Sequence, residues 1–149
     1  MNEFPRDQAI ETILWKQPPT TSPVSDPNLH AALAEFLKRL SNPDIKSIRK
    51  LGPLVMVLPD SVDFFSAGWP VGSRRPWIRI GGSNFVWRTM TTQKQRVGLI
   101  AHAMGHLMAG HCRRKTENGV PFTENQNCIA NQIACRMGFG PEVDLVFAR

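Results

Sequence analysis

Gly98-Leu-Ile-Ala-His-Ala-Met-Gly-His-Leu-Met-Ala-Gly-His111 is the stretch that decides how this chain is read. His102 and His106 stand four residues apart, so on a helix both imidazoles project from one face. That is the histidine spacing of the HExxH zinc motif, with Ala103 in the place of its glutamate. In the motif the histidines hold Zn²⁺ and the glutamate relays the proton of the metal-bound water. The expectation is a metal pair whose general base is missing. Histidine pairs at this spacing also arise on helices that bind nothing. Leu99, Ile100, Met104, Leu107 and Met108 favour the metal, because they make an apolar helix that buries the rings, and buried imidazoles need partners.

The helical pattern around the motif runs from about Thr92 to Cys112 and resumes from about Thr123 to Met137, with Gly138 and Pro141 as its stop. Ala101, Gly105, Ala109 and Cys112 line one side of the first helix with small residues. Ala130 and Ala134 do the same on the second, so the two helices are expected to pack closely. Gly98, Gly105 and Gly110 each cost about 1 kcal/mol of helix propensity relative to alanine. Packing or close backbone approach is expected to compensate.

Working outward, an amphipathic helix is expected from Arg6 to Trp15. Residues 17–25 then read as a linker, with three prolines and four hydroxyl residues. Asp26 looks like an N-cap and Pro27 a first helical residue. The helix to Leu40 carries Leu29, Leu33, Phe36, Leu37 and Leu40 as a core stripe, and Ser41-Asn42-Pro43 ends it. His30 lies beside the stripe as a partly exposed polar residue. Leu54–Leu58, Trp77–Ile80 and Phe85–Trp87 read as strands, with Ser66–Arg75 a loop among them. Helices, a small sheet and two motif-bearing helices together indicate one α+β domain over residues 1–149.

No apolar run approaches 18 residues, so no membrane span is expected. The start lacks the apolar core of a secretion signal. Cys112, Cys128 and Cys135 form an odd set without a CxxC pair, which suits reduced, buried packing thiols in a cytoplasm. The net charge of +6 gathers at Lys38-Arg39, Lys46 with Arg49-Lys50, Arg74-Arg75 and Arg113–Lys115. Without a nucleic-acid motif these clusters read as solvated surface in preference to a nucleic-acid face. No tyrosine is available to stabilise an oxyanion.

The run from Gly98 to His111, followed by Asn127-Cys-Ile-Ala-Asn-Gln-Ile-Ala-Cys-Arg-Met-Gly-Phe-Gly-Pro141, resembles minimal gluzincin zinc peptidases of the HtpX-like and ImmA/IrrE-like types. Those families read HExxH, often with a further histidine five residues on, then ExxA(D/N)xxA on the next helix. His102, His106 and His111 match the first part. Ala130, Asn131 and Ala134 match the second. The likeness covers residues 54–141 as a zincin-like core; residues 1–52 have no counterpart, and 1–25 form the N-terminal helix and linker.

The resemblance implies Zn²⁺ as cofactor, a protein or peptide substrate, and a strand within Trp77–Trp87 that pairs with extended substrate, beside a cleft bordered by residues 68–75. It puts asparagine at 127 where the family's third ligand is glutamate. Glu124, one turn earlier, is the first candidate for the missing carboxylate. Asn127 follows, and then His111, Cys128 or water. The competing role for Glu124 is a helix N-terminal charge favoured by the dipole. Asn131 would orient a zinc histidine, and His111 would sit behind the ligands. The expected function is a zinc-dependent endopeptidase, inactive in this form because Ala103 replaces the base. An engineered substitution is preferred over natural decay. The alternative is a natural pseudopeptidase that binds a peptide or regulator.

Overall fold

The computed structural model of the chain describes residues 4–15, 27–52, 54–58, 65–68, 76–81, 92–110 and 123–146. Helix α1 (Arg6–Trp15) buries Ala9, Ile10 and Ile13 along one face. Helix α2 (Pro27–Arg39) buries Ala32, Leu33, Phe36 and Leu37, with Leu40 just beyond its end. That stripe recurs every three or four residues, as a helix facing a core requires. The expected linker of residues 17–25 and the Asp26 cap lie outside the described residues.

Ser41-Asn42-Pro43 does more than end α2. Ser41 caps a further helix, α3 (Asn42–Leu51), accepting a hydrogen bond from the Asp44 N–H, and Pro43 sits in its first turn. Gly52 closes α3 at φ 57°, a left-handed conformation that glycine adopts without steric cost. Ile45 and Ile48 are its buried residues. A single tripeptide thus serves two helix ends.

Strands β1 (Leu54–Leu58), β2 (Phe65–Gly68) and β3 (Trp77–Gly81) pair in the order β1-β3-β2, with β3 parallel to β1 and antiparallel to β2. Ser66–Gly68 therefore belongs to paired backbone and not to a loop. This patch lies through β2 against the motif helix, α4 (Gln93–Met108). The expected α+β class is corrected: the described residues are mostly helical, and the buried cluster among them is built from helices together with Ile78 of β3. Short extended runs do not by themselves make a layer; among the described residues the helices supply the buried cluster apart from Ile78. The substrate-pairing expectation fails at Trp77–Gly81 too, because β1 and β2 occupy both edges of β3. Phe85–Trp87 lie outside the described residues.

The motif helix is α4 (Gln93–Met108). Thr92 and Gln95 form a reciprocal capping box at its start. Thr123 and Gln126 do the same for α5 (Glu124–Ala134). A wider turn, Cys135–Phe139, follows, and the helical path is broken inside it at Gly138, whose φ of 105° is left-handed. The chain then continues as α6 (Gly140–Val146) with Pro141 in its first turn. Gly138 therefore ends the helix as expected, and a new helix with Pro141 in its first turn starts directly behind it.

Helix α4 is the centre of the molecule, packed against α2, α5 and α6. Residues Val97 to Leu107 are buried without interruption. Two glycines permit this. A methyl group at Gly98 would fall on the Glu142 carbonyl of α6, and one at Gly105 on the Ala130 carbonyl of α5. Arg39 fastens α2 to the far end: its guanidinium bonds both Glu142 carboxylate oxygens at 3.0 and 3.3 Å and the Gly138 carbonyl at 3.0 Å. The same group stacks 4.5 Å above the Phe139 ring. Among the described residues, no helix is long and apolar enough to cross a membrane.

Candidate metal centre

The site begins with the contact of Gly105 on Ala130, which lets α4 and α5 approach closely enough for short side chains to meet. His102 and His106, one turn apart on α4, are 1% and 0% exposed. Their rings stand edge to face at 86° with centroids 4.6 Å apart. The two Nε2 atoms converge to 3.1 Å. From α5, Asn127 brings Oδ1 to 3.0 Å from His106 Nε2, and Asn131 brings Oδ1 to 2.6 Å from His102 Nδ1.

These contacts fix the protons. An amide oxygen only accepts, so His102 donates Nδ1–H to Asn131, and its Nε2 in the neutral ring is a bare lone pair. His106 Nε2–H then points toward two acceptors, Asn127 Oδ1 and His102 Nε2. Burial holds the His102 imidazole below its ordinary protonation range, although its bonds to Asn131 and Asn127 work the other way. The ring is neutral at neutral pH, as a metal-binding imidazole must be.

Whether zinc fits is a question of donors and spacing. Two nitrogens about 2.0–2.1 Å from zinc in tetrahedral directions lie about 3.3 Å apart. The observed 3.1 Å and 3.0 Å separations match that edge. Asn131 supplies the orienting hydrogen bond that metal-bound histidines carry on the far nitrogen. The residues fit a small divalent cation as an N, N, O set, with an amide oxygen where a carboxylate would bind more strongly.

Of the residues singled out in the sequence, the fold brings together His102, His106, Asn127 and Asn131. Glu124, the first candidate for third ligand, is exposed in the opening turn of α5. No three His, Cys, Asp or Glu side chains converge as a metal site among the described residues. Ala103 is fully buried. Cys128 is exposed and Cys135 half-buried, so the expectation of buried packing thiols fails at Cys128. His30 is exposed, as a polar neighbour of the α2 stripe should be. His111, Cys112, residues 69–75 and the basic run Arg113–Lys115 lie outside the described residues.

Sequence reasoning missed the Arg39–Glu142 clamp, and no spacing signal announces a pair 103 positions apart. Burial disfavours the charged form of Glu142, but the Arg39 hydrogen bonds and charge, with that of Lys94, outweigh it and hold the carboxyl below its usual value. No protein-family model, curated protein or solved structure matches the chain.

Proposed function

We propose that this chain is a natural pseudopeptidase: a zinc-peptidase-like protein that keeps the metal cradle, lacks the catalytic base and works by binding a peptide. The observation that carries the reading is the convergence of His102 Nε2, His106 Nε2 and Asn127 Oδ1 beside a fully buried Ala103. His102, His106 and Asn127 would hold the cation, and Asn131 would keep His102 in the tautomer whose Nε2 faces it. Bound zinc would act as a Lewis acid toward a carbonyl or carboxylate oxygen. Position 103 offers a methyl group, so no side chain there can take or return a proton. Engineered inactivation needs only one such change. Here the carboxylate is absent at 127 as well, which favours a natural non-catalytic protein over a disabled enzyme. An odd set of three cysteines without a CxxC pair suits a cytoplasmic setting.

Metal analysis of protein purified without added metal tests the reading against His106→Ala. One zinc per chain, lost in the variant, is expected. Negligible zinc in both would refute the cradle. Hydrolysis of a broad peptide library by the unmodified chain would refute the loss of catalysis.

A further inference from the structure

We propose that α5 is the moving wall of the metal site: it parts from α4 to admit or release the cation, and the bound cation holds it closed. The inference rests on the metal cradle above and adds how that cradle is filled. His102 and His106 are 1% and 0% exposed, so in the closed form no cation reaches their Nε2 atoms and a neighbouring element must give way. The described helices packed on α4 differ in how firmly they are held. α2 buries Leu33, Phe36 and Leu37. α6 is seated on Gly98 and fastened by Arg39, and Phe139, just before it, packs on Phe36 with ring centroids 4.8 Å apart. The buried residues of α5 are Ala130 and Ala134, two methyl groups, with Ile133 partly covered. Its Glu124, Asn125, Cys128 and Gln132 are exposed. Apolar stabilisation scales with the area removed from water, so local opening is least opposed at α5.

The cover and the hinge belong to the same helix. Asn127 and Asn131, whose Oδ1 atoms lie 3.0 and 2.6 Å from the histidine nitrogens, both come from α5 and are only half-buried. Moving α5 therefore uncovers both rings at once. Its C-terminal end runs into the wide turn Cys135–Phe139, where Gly138 at φ 105° breaks the helical path. Hinges are short stretches at element ends that absorb a backbone change. The far side of this one is fixed, because Arg39 holds the Gly138 carbonyl at 3.0 Å. A cation bound by His102 and His106 of α4 and Asn127 of α5 ties the two helices together. It stabilises the closed form, since the open form lacks the full ligand set.

The test is hydrogen–deuterium exchange of the unmodified chain, without metal and with zinc at about one hundred times its dissociation constant, with His106→Ala as control. Without metal, the α5 amides should exchange by local opening, at least about tenfold faster than those of Val97 to Leu107. Zinc should slow α5 exchange by up to about a hundredfold, because each opening must first release the cation. Ala134→Gly removes a buried methyl group and weakens the helix without touching a ligand, so it should speed α5 exchange and zinc release to a chelator by the same factor, roughly tenfold. Metal-free α5 amides as slow as those of α4 overturn the proposal. Zinc that binds but leaves α5 exchange unchanged overturns it too. So does an Ala134→Gly protein with faster α5 exchange and unchanged zinc release, since the cation then leaves by another route. In each of those cases the cradle stands. Zinc binding no stronger than that of His106→Ala means that the cradle fails, and the proposal with it. The comparison with and without zinc needs no variant to fold.

Discussion

Gly105→Ala tests the contact on which the site depends. A Cβ at 105 would lie 3.0 Å from both the Cα and the carbonyl carbon of Ala130, and closer still to the carbonyl oxygen. Comfortable carbon contacts begin near 3.5 Å, so α4 and α5 must part by roughly 0.5–1 Å. Backbone cannot rotate aside as a long side chain can. Overpacking of this kind costs about 1–3 kcal/mol, and alanine returns up to about 1 kcal/mol of helix propensity. The expected net loss is about 1–2 kcal/mol, a fall in Tm of roughly 2–8 °C for a chain of this length. The same parting stretches the 2.6 Å contact of His102 with Asn131 and the 3.0 Å contact of His106 with Asn127. Zinc retention should therefore fall with stability. Gly98→Ala is the control, because its new methyl meets Glu142 and Val143 of α6, away from the histidines. It should lower Tm and spare zinc. Thermal unfolding and metal analysis of both variants decide the matter. A Gly105→Ala protein as stable as the parent, with zinc unchanged, would refute the argument that this glycine sets the helix spacing.

Asn127→Ala should release zinc more readily than Glu124→Ala, measured by chelator competition, because Asn127 touches His106 and Glu124 is exposed. Arg39→Met should cost about 1–3 kcal/mol at neutral pH by leaving the Glu142 carboxylate unpaired, toward the lower end because Arg39 is 40% exposed. The lowered Glu142 pKa gives stability that is full above the unfolded carboxyl range and lost as pH falls through the folded value. The gap between parent and variant should therefore narrow in acid unfolding curves. Ala103→Glu places a carboxyl at a fully buried position, so it should lower Tm without zinc and recover part of the loss when zinc is added. Equal Tm in all four conditions would mean that position 103 does not face the cradle.

The helices were legible where polar signals marked their ends. The expected starts near Thr92 and Thr123 coincide with the caps of α4 and α5, where the structure adds reciprocal boxes with Gln95 and Gln126. The stripe from Leu33 to Leu40 likewise showed which face of α2 is buried. α3 was hidden because Ser41-Asn42-Pro43 reads equally as a stop and a start. α6 was hidden because Gly138 and Pro141 read as a stop, and the stop at Gly138 is followed at once by a new helix that Pro141 helps to start. The histidine pair was visible from spacing alone. Its oxygen partner was not, since Glu124 and Asn127 differ by less than a turn and only the seating of α5 on α4 chooses between them. The fold class misled for a related reason: short apolar runs show that residues are extended, and say little about whether they carry the core.

The unbroken burial of Val97 to Leu107 in α4 has a kinetic consequence. A helix with one face in water can fray or tilt away from its neighbours while the rest of the domain holds. Val97 to Leu107 have no such face, and the glycine contacts at 98 and 105 bind the helix to α6 and α5 in turn. Their amide hydrogens should therefore exchange with deuterium only when the whole domain opens, at a rate set by the global unfolding free energy. The two histidines lie on this last segment to open, so their geometry should persist through the local fluctuations that loosen the outer helices.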